Sequence, residues 1–245
     1  EKDSAHPPLI CFHTSPNSGR IYNTFLGHMG TDRLAVAPDT PGFGDSDPPS
    51  RQPSIADYAA AMTSVLDALG LTTVDIMGYH TGSETCVELA LQQPKRVRKL
   101  VLTSAPIFSE EELQSFRDHY AKPEWSTDGS HVAEKWRDHL FWAGPGYTMD
   151  HMAVNFADAL RRPGISWWGH NAAFDFPMGE KLKQVNQPVL VLNPNDDLVE
   201  QTLRAEGTMQ NGCIHELPDW GHGYLDLHSA EAATLIRGFL DGEDT

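Results

Sequence analysis

Short apolar runs recur along the chain with helix-like segments between them. They are Leu9-Ile10-Cys11-Phe12, Leu34-Ala35-Val36-Ala37, Val74-Asp75-Ile76-Met77, Leu100-Val101-Leu102, Val189-Leu190-Val191-Leu192 and the shorter Cys213-Ile214. Near-continuous apolar character, without polar alternation, suits strands covered on both faces. Between them, Ile55 to Leu69 carries apolar residues at helical spacing behind Ser54, a good N-cap, and Glu84 to Leu91 stops before Pro94. A further helix is expected near Glu231 to Leu240. The alternation reads as βαβ units and predicts an α/β fold, a mostly parallel sheet with helices on both faces.

The rhythm breaks after Pro106. From Ile107 to about Gln187 no strand is evident, and five of the six tryptophans (Trp125, Trp136, Trp142, Trp167 and Trp168) fall there. A stretch of this size is too small to own much core. It is expected as a helical cap inserted over the carboxyl edge of the sheet, with residues 1–106 and 188–245 forming the sheet-bearing core. Most of its aromatics should pack on the sheet, while a few, with Trp142, Trp167 and Trp168 the candidates beside Tyr79, should line a pocket for substrate.

Val74 to Met77 runs directly into Gly78-Tyr79-His80-Thr81-Gly82 and then a helix. Small residues two before and two after a central position relieve crowding in a sharp strand-to-helix turn and push the central side chain into the site. Four other stretches stand in matching order. They are His13-Thr14-Ser15-Pro16, the run Pro38-Asp39-Thr40-Pro41-Gly42-Phe43-Gly44-Asp45-Ser46-Asp47, the late strand Pro188 to Asp197, and Asp219-Trp220-Gly221-His222. Together they resemble the oxyanion loop, the P-D-x-P-G-x-G-x-S-D run, the acid-bearing strand and the histidine turn of the α/β-hydrolase family. The likeness extends over nearly the whole chain. In two respects the chain departs from that pattern: His80 stands where the family places Ser, Cys or Asp, and only eight residues precede Leu9, which leads one to expect that initial strands lie outside this sequence.

The resemblance implies a cofactor-independent hydrolase for an ester, lactone or C–C bond beside a carbonyl in a small apolar or aromatic molecule. An acyl-transfer site needs an attacking group, a base, an acid that orients the base, and donors for the oxyanion. His80 occupies the nucleophile position, His222 is the base, and Asp197, with adjacent Asp196 competing, orients His222. The backbone N–H groups of Ser15 and Thr81 would hold the oxyanion. Imidazole can attack an activated carbonyl through its free lone pair, and two imidazoles can instead divide acid and base roles without a covalent bond, which also suits a lyase or decarboxylase. A non-catalytic ligand binder on the same scaffold is the third reading.

His80, His222 and Asp197 formally make a two-histidine, one-carboxylate set of the kind that binds iron. The acid is expected behind His222, away from His80, so no metal is expected. His13 should shape the oxyanion loop, Ser83 should be an ordinary serine at the start of a helix, and Ser104 should lie near the site's edge. Of the histidines in the inserted stretch, His119, His131, His139, His151 and His170, most are read as surface or packing residues.

Eighteen Lys and Arg against thirty-four Asp and Glu give a net charge of −16. That field repels phosphate backbones and anionic lipid headgroups, which argues against nucleic-acid and membrane partners. A small-molecule substrate remains, with a homodimer left open. No apolar run approaches the length of a membrane helix. Cys11, Cys86 and Cys213 have no metal-ligand spacing and no disulfide framework is expected. A cytoplasmic setting is expected.

Overall fold

In the computed structural model, which describes residues 4, 6–162 and 164–242, each apolar run yields a strand. These are β1 (Leu9–Phe12), β2 (Ala35–Val36), β3 (Val74–Tyr79), β4 (Val97–Thr103), β5 (Val189–Pro194) and β6 (Gly212–Leu217). They form one sheet in the order β2-β1-β3-β4-β5-β6, with every pairing parallel. The last strand is longer than the apolar pair Cys213-Ile214 because β6 is an edge strand, where exposed polar residues such as His215 and Glu216 are tolerated.

Eleven α-helices are seen among the described residues, besides a short 3₁₀ turn at Gly19–Tyr22. In chain order they are α1 (Asn23–Met29), α2 (Ile55–Ala68), α3 (Thr81–Gln92), α4 (Glu110–His119), α5 (Ser130–Trp142), α6 (Met149–Ala159), α7 (Trp168–Phe174), α8 (Met178–Leu182), α9 (Val199–Leu203), α10 (Tyr224–Leu227) and α11 (Ser229–Asp241). Ser54 caps α2 as its residue type suggests. Its hydroxyl accepts the Asp57 N–H while the Asp57 carboxylate accepts the Ser54 N–H, satisfying donors that a helix start leaves open.

Successive strand side chains point to opposite faces, so each strand contributes to two cores. Ile10, Phe12, Ile76, Leu100, Leu102, Val189 and Val191 pack with apolar residues of α2, α3 and α8. Leu9, Cys11, Met77, Val101, Leu190 and Leu192 pack with α1, α10 and α11. The product is a helix–sheet–helix sandwich. Parallel pairing places the carboxyl ends of all six strands along one edge, where ligand sites of such sheets form.

Between β4 and β5 the chain is helical, α4 to α8, with no strand among the described residues. Polar contacts tie this stretch to the loops around the carboxyl edge. Asp158 of α6 accepts the N–H and the hydroxyl of Ser18, both at 2.8 Å, Arg161 pairs with Asp45, and Ala143 bridges to His222.

Candidate active site

The turn from β3 into α3 is as tight as its glycines suggest. A Cβ at Gly78 would overlap the backbone of Gly82, and one at Gly82 would overlap the carbonyl of Phe12. At the apex His80 has φ 48° and ψ −112°, a conformation that costs an L-residue roughly 1–3 kcal/mol and persists only where the surroundings enforce it. Ser104, after β4, has φ 67° and is the other such non-glycine among the described residues. Both touch the same carboxylate: Asp196 Oδ2 lies 2.8 Å from His80 Nε2 and accepts the Ser104 hydroxyl at 3.3 Å.

Asp197, the next residue, serves the other histidine. His222 Nε2 lies 3.1 Å from Asp197 Oδ1, and its Nδ1 lies 3.3 Å from the Tyr79 hydroxyl. The two imidazoles are 5.5 Å apart, centroid to centroid, at 82°. Outer contacts complete both acids: Asp196 Oδ1 accepts the Leu198 N–H at 2.9 Å, and Asp197 Oδ2 accepts the Tyr120 hydroxyl at 3.4 Å. The expected separation of His80 from the acid is therefore not observed. One nitrogen or oxygen from each of His80, Asp196, Asp197 and His222 falls within 4.8 Å of all the others. The reason is topological. Only β4 separates β3 from β5, so two consecutive acids after β5 reach the gap between the histidines from two directions.

Burial by itself would lower the basicity of His80, but the charge and hydrogen bond of Asp196, with Asp197 beyond, outweigh it and raise its pKa. Burial would raise Asp197, yet its hydrogen bond to His222 and the charges of His80 and His222 hold it well below the usual carboxylate range. The site therefore sets two carboxylates against two imidazoles, with His80 and Asp196 the more deeply buried pair.

Ser15 and Thr81 are buried at this edge, and their N–H groups meet no protein acceptor among the described residues. His13 is buried behind them. Its Nδ1 donates to the Thr14 carbonyl at 2.9 Å and its Nε2 accepts the Thr40 N–H at 3.0 Å, and burial lowers its pKa, so it braces one loop against the next as a neutral ring. Ser83 differs from an ordinary helix-start serine, being fully buried with its hydroxyl on the Thr103 carbonyl at 2.9 Å.

A cavity of about 260 Å³ opens above the histidines. Tyr79, Trp142 and Trp167 line it together with His80, His222 and Asp197, and Trp142 stands edge-on to His222. Trp168 does not line it, contrary to expectation. Adjacent residues in a helical turn point about 100° apart, so with Trp167 turned into the cavity its neighbour is turned away from it. Of the inserted stretch's histidines, expected mostly at the surface or in packing, His119, His139 and His170 line the cavity. His170 is stacked on Tyr120 at 4.2 Å, and burial pushes its pKa down to about 3, which leaves it neutral. Glu84, one turn into α3, borders a second space of about 40 Å³ behind His80, and burial raises its pKa well above the ordinary value.

With this geometry in hand, the chain can be set beside known proteins. Residues 7–201 match the model of the alpha/beta hydrolase fold family. The chain is 42% identical to a 2-hydroxymuconate semialdehyde hydrolase of Pseudomonas putida, over 97% of this chain and 88% of that protein. It is 24% identical to a 2-hydroxy-6-oxo-2,4-heptadienoate hydrolase of Pseudomonas putida, over 97% and 90% of the two chains. Among solved structures it is similar to the enol-lactonase of Burkholderia xenovorans LB400, with a TM-score of 0.81 at 16% identity, covering 99% of this chain and 94% of that one. This last likeness is one of fold.

Proposed function

The chain belongs to the alpha/beta hydrolase fold family, and from that premise we propose that it hydrolyses an ester, lactone or C–C bond adjacent to a carbonyl in a small apolar or aromatic substrate, with His80 at the position the family gives to its nucleophile. The observation that carries this reading is the convergence of two His–Asp pairs under an aromatic-lined cavity at the carboxyl edge of the sheet. The names of the relatives, hydrolases of 2-hydroxy-6-oxo-2,4-heptadienoate and of 2-hydroxymuconate semialdehyde, add weight to a small carbonyl-bearing substrate.

Attack by water suits the site better than an acyl-histidine. His80 turns Nε2 toward Asp196 at 2.8 Å, which leaves Nδ1, the nitrogen nearest its own main chain, as the only free attacking atom. His222, held by Asp197 through Nε2, points Nδ1 toward Tyr79, and the 3.3 Å contact marks where its lone pair is offered. When the Tyr79 hydroxyl yields that lone pair, a water taking its place gives a proton to His222 as its oxygen bonds to the substrate carbonyl carbon. The carbonyl oxygen becomes negative and is met by the N–H groups of Ser15 and Thr81. Collapse re-forms the carbonyl, breaks the ester or C–C bond, and returns the proton from His222 to the departing oxygen or carbon. One water is consumed, and a carboxylic acid and its partner fragment leave, or, from a lactone, a single hydroxy acid. The helices within 107–187 act as the cap that covers the substrate, with Trp142 and Trp167 against it.

The test is a panel of aryl esters, lactones and β-keto compounds. At least one class is turned over, and His222→Gln lowers kcat by about 100-fold or more, the usual scale of general-base loss. Absence of turnover across the panel, or full activity in His222→Gln, removes the reading.

A further inference from the structure

We propose that His80, Asp196, Asp197 and His222 form a binding site for a divalent transition-metal ion of the zinc type. Four side chains from three segments each present one donor atom, two imidazole nitrogens and two carboxylate oxygens, all within 4.8 Å of one another. Zinc-type ions bind such donors at about 2.0–2.2 Å, which places neighbouring donors of one ion roughly 3 Å apart. The contacts His80 Nε2 to Asp196 Oδ2 at 2.8 Å and His222 Nε2 to Asp197 Oδ1 at 3.1 Å have that spacing. Both histidines direct Nε2, the outermost ring atom, at the same carboxylate pair.

Charge points the same way. Among the described residues the ion-pair partners of Asp196 and Asp197 are these histidines, and no Lys or Arg pairs with either acid. A second His–Asp group, His6, Asp32 and Asp241, provides the contrast. Arg33 and Arg237 fill it, so its negative charge is already matched and it has no place for a cation. An ion bound at the active-site cluster displaces any proton from each Nε2, and two carboxylates with two neutral imidazoles then leave two negative charges, the balance that a dication meets. Mixed imidazole and carboxylate donors suit zinc and its first-row neighbours rather than calcium or magnesium.

The surroundings are those of a ligand set as well. The Tyr79 hydroxyl contacts His222 at Nδ1, the nitrogen that a Nε2-bound ion would leave free. The Leu198 N–H and the Tyr120 hydroxyl bond the carboxylate oxygens that face away from the cluster. Such partners orient metal ligands. His80, Asp197 and His222 also line the cavity, so an ion here would keep an open side toward substrate. Its Lewis acidity would polarise a carbonyl and acidify a bound water. For the fate of that water this inference rests on the hydrolytic reading, whereas binding of the ion does not.

The experiment titrates the full chain, first freed of divalent ions by a chelator, with Zn²⁺, and counts ions per chain by elemental analysis after desalting. One Zn²⁺ per chain is expected. His80→Gln and Asp196→Asn should each weaken binding by more than the roughly 10–100-fold typical of changes behind the ligands, and His6→Ala should leave it unaltered. Circular dichroism of each variant separates a lost ligand from a lost fold. Should both variants unfold, Co²⁺ in the unaltered chain decides: one ion per chain with intense visible bands of a low-coordinate nitrogen and oxygen site supports the site, and an aquo-ion spectrum overturns it. Ion content well below one per chain, or unchanged affinity in folded His80→Gln and Asp196→Asn, also overturns it. Undiminished hydrolysis by the ion-free chain overturns the ion's part in the reaction and leaves the hydrolase, with the ion count alone deciding the site. One tightly held ion with no turnover across the substrate panel keeps the site and removes the hydrolase.

Discussion

Replacing Asp241 by Asn tests the electrostatic seam that holds the last helix to the sheet. Arg33, just before β2, has a side chain with 0% exposure and bonds Asp241 at the end of α11 as well as Asp32 at 3.2 Å. Asp32 in turn takes Arg237 of α11 at 2.7 Å. Removing one partner of a buried pair costs roughly 3–5 kcal/mol because the remaining charge stays buried. Here Asp32 still faces Arg33 and the Asp241 side chain is 25% exposed, so solvent and the second acid absorb part of the loss. About 2 kcal/mol is the expected cost at pH 7, which for a chain of this size lowers Tm by about 4–8 °C.

The pH dependence sharpens the test. Burial would raise the Asp241 carboxyl, but the hydrogen bond from Arg33 and its charge hold it below the ordinary value of 3.8, and Asp32 is lowered in the same way by Arg237 and Arg33. A carboxyl with a depressed folded pKa contributes stability that is complete above its unfolded pKa and is lost as pH falls through the folded one. Asp241→Asn should therefore show its full deficit at pH 7, and the deficit should shrink below pH 4 as the unaltered chain also loses that charge. Urea unfolding at pH 7, 5 and 3.5 with Tm measured in parallel reads both quantities. A deficit under about 0.5 kcal/mol at pH 7, the range of an ordinary surface change, or one that stays constant into acid, would refute the reasoning.

Two further outcomes follow from packing. Gly82→Ala sets a Cβ against the Phe12 carbonyl, a backbone atom that cannot swing aside, so urea unfolding should show a loss of about 1–3 kcal/mol; Gly27→Ala in α1, where a Cβ meets nothing within 4 Å, should stabilise by up to about 1 kcal/mol. Trp167→Ala should raise KM for an aromatic substrate several-fold while Trp168→Ala leaves it near the starting value, since only Trp167 lines the cavity. Equal effects in steady-state kinetics would contradict that placement.

The parallel sheet was legible because strands buried on both faces have few polar residues to interrupt them, as in Leu9 to Phe12 and Val189 to Leu192. The ends of β3, β4 and β5 were less visible, because Tyr79, Thr103 and Pro194 sit where the core gives way to the site. Ser54 announced α2 because capping chemistry is local. The pairing of His80 with Asp196 was not legible, since 116 residues separate the two and Asp196-Asp197 offers two acids where the family resemblance asks for one. Only the three-dimensional gap across β4 shows that each acid has its own histidine. The cavity roles of Tyr120 and His170 were hidden for another reason: the stretch between β4 and β5 has no strand register from which to infer which face of each helix turns toward the sheet.

The central claim is that water, not His80, attacks the substrate beneath the two His–Asp pairs. Intact-protein mass spectrometry on samples quenched within the first turnovers of an activated aryl ester tests it directly. The account expects product at the steady-state rate with the protein mass unchanged at every time point. Accumulation of a species heavier by one acyl group, located at His80 and decaying at the turnover rate, would contradict it.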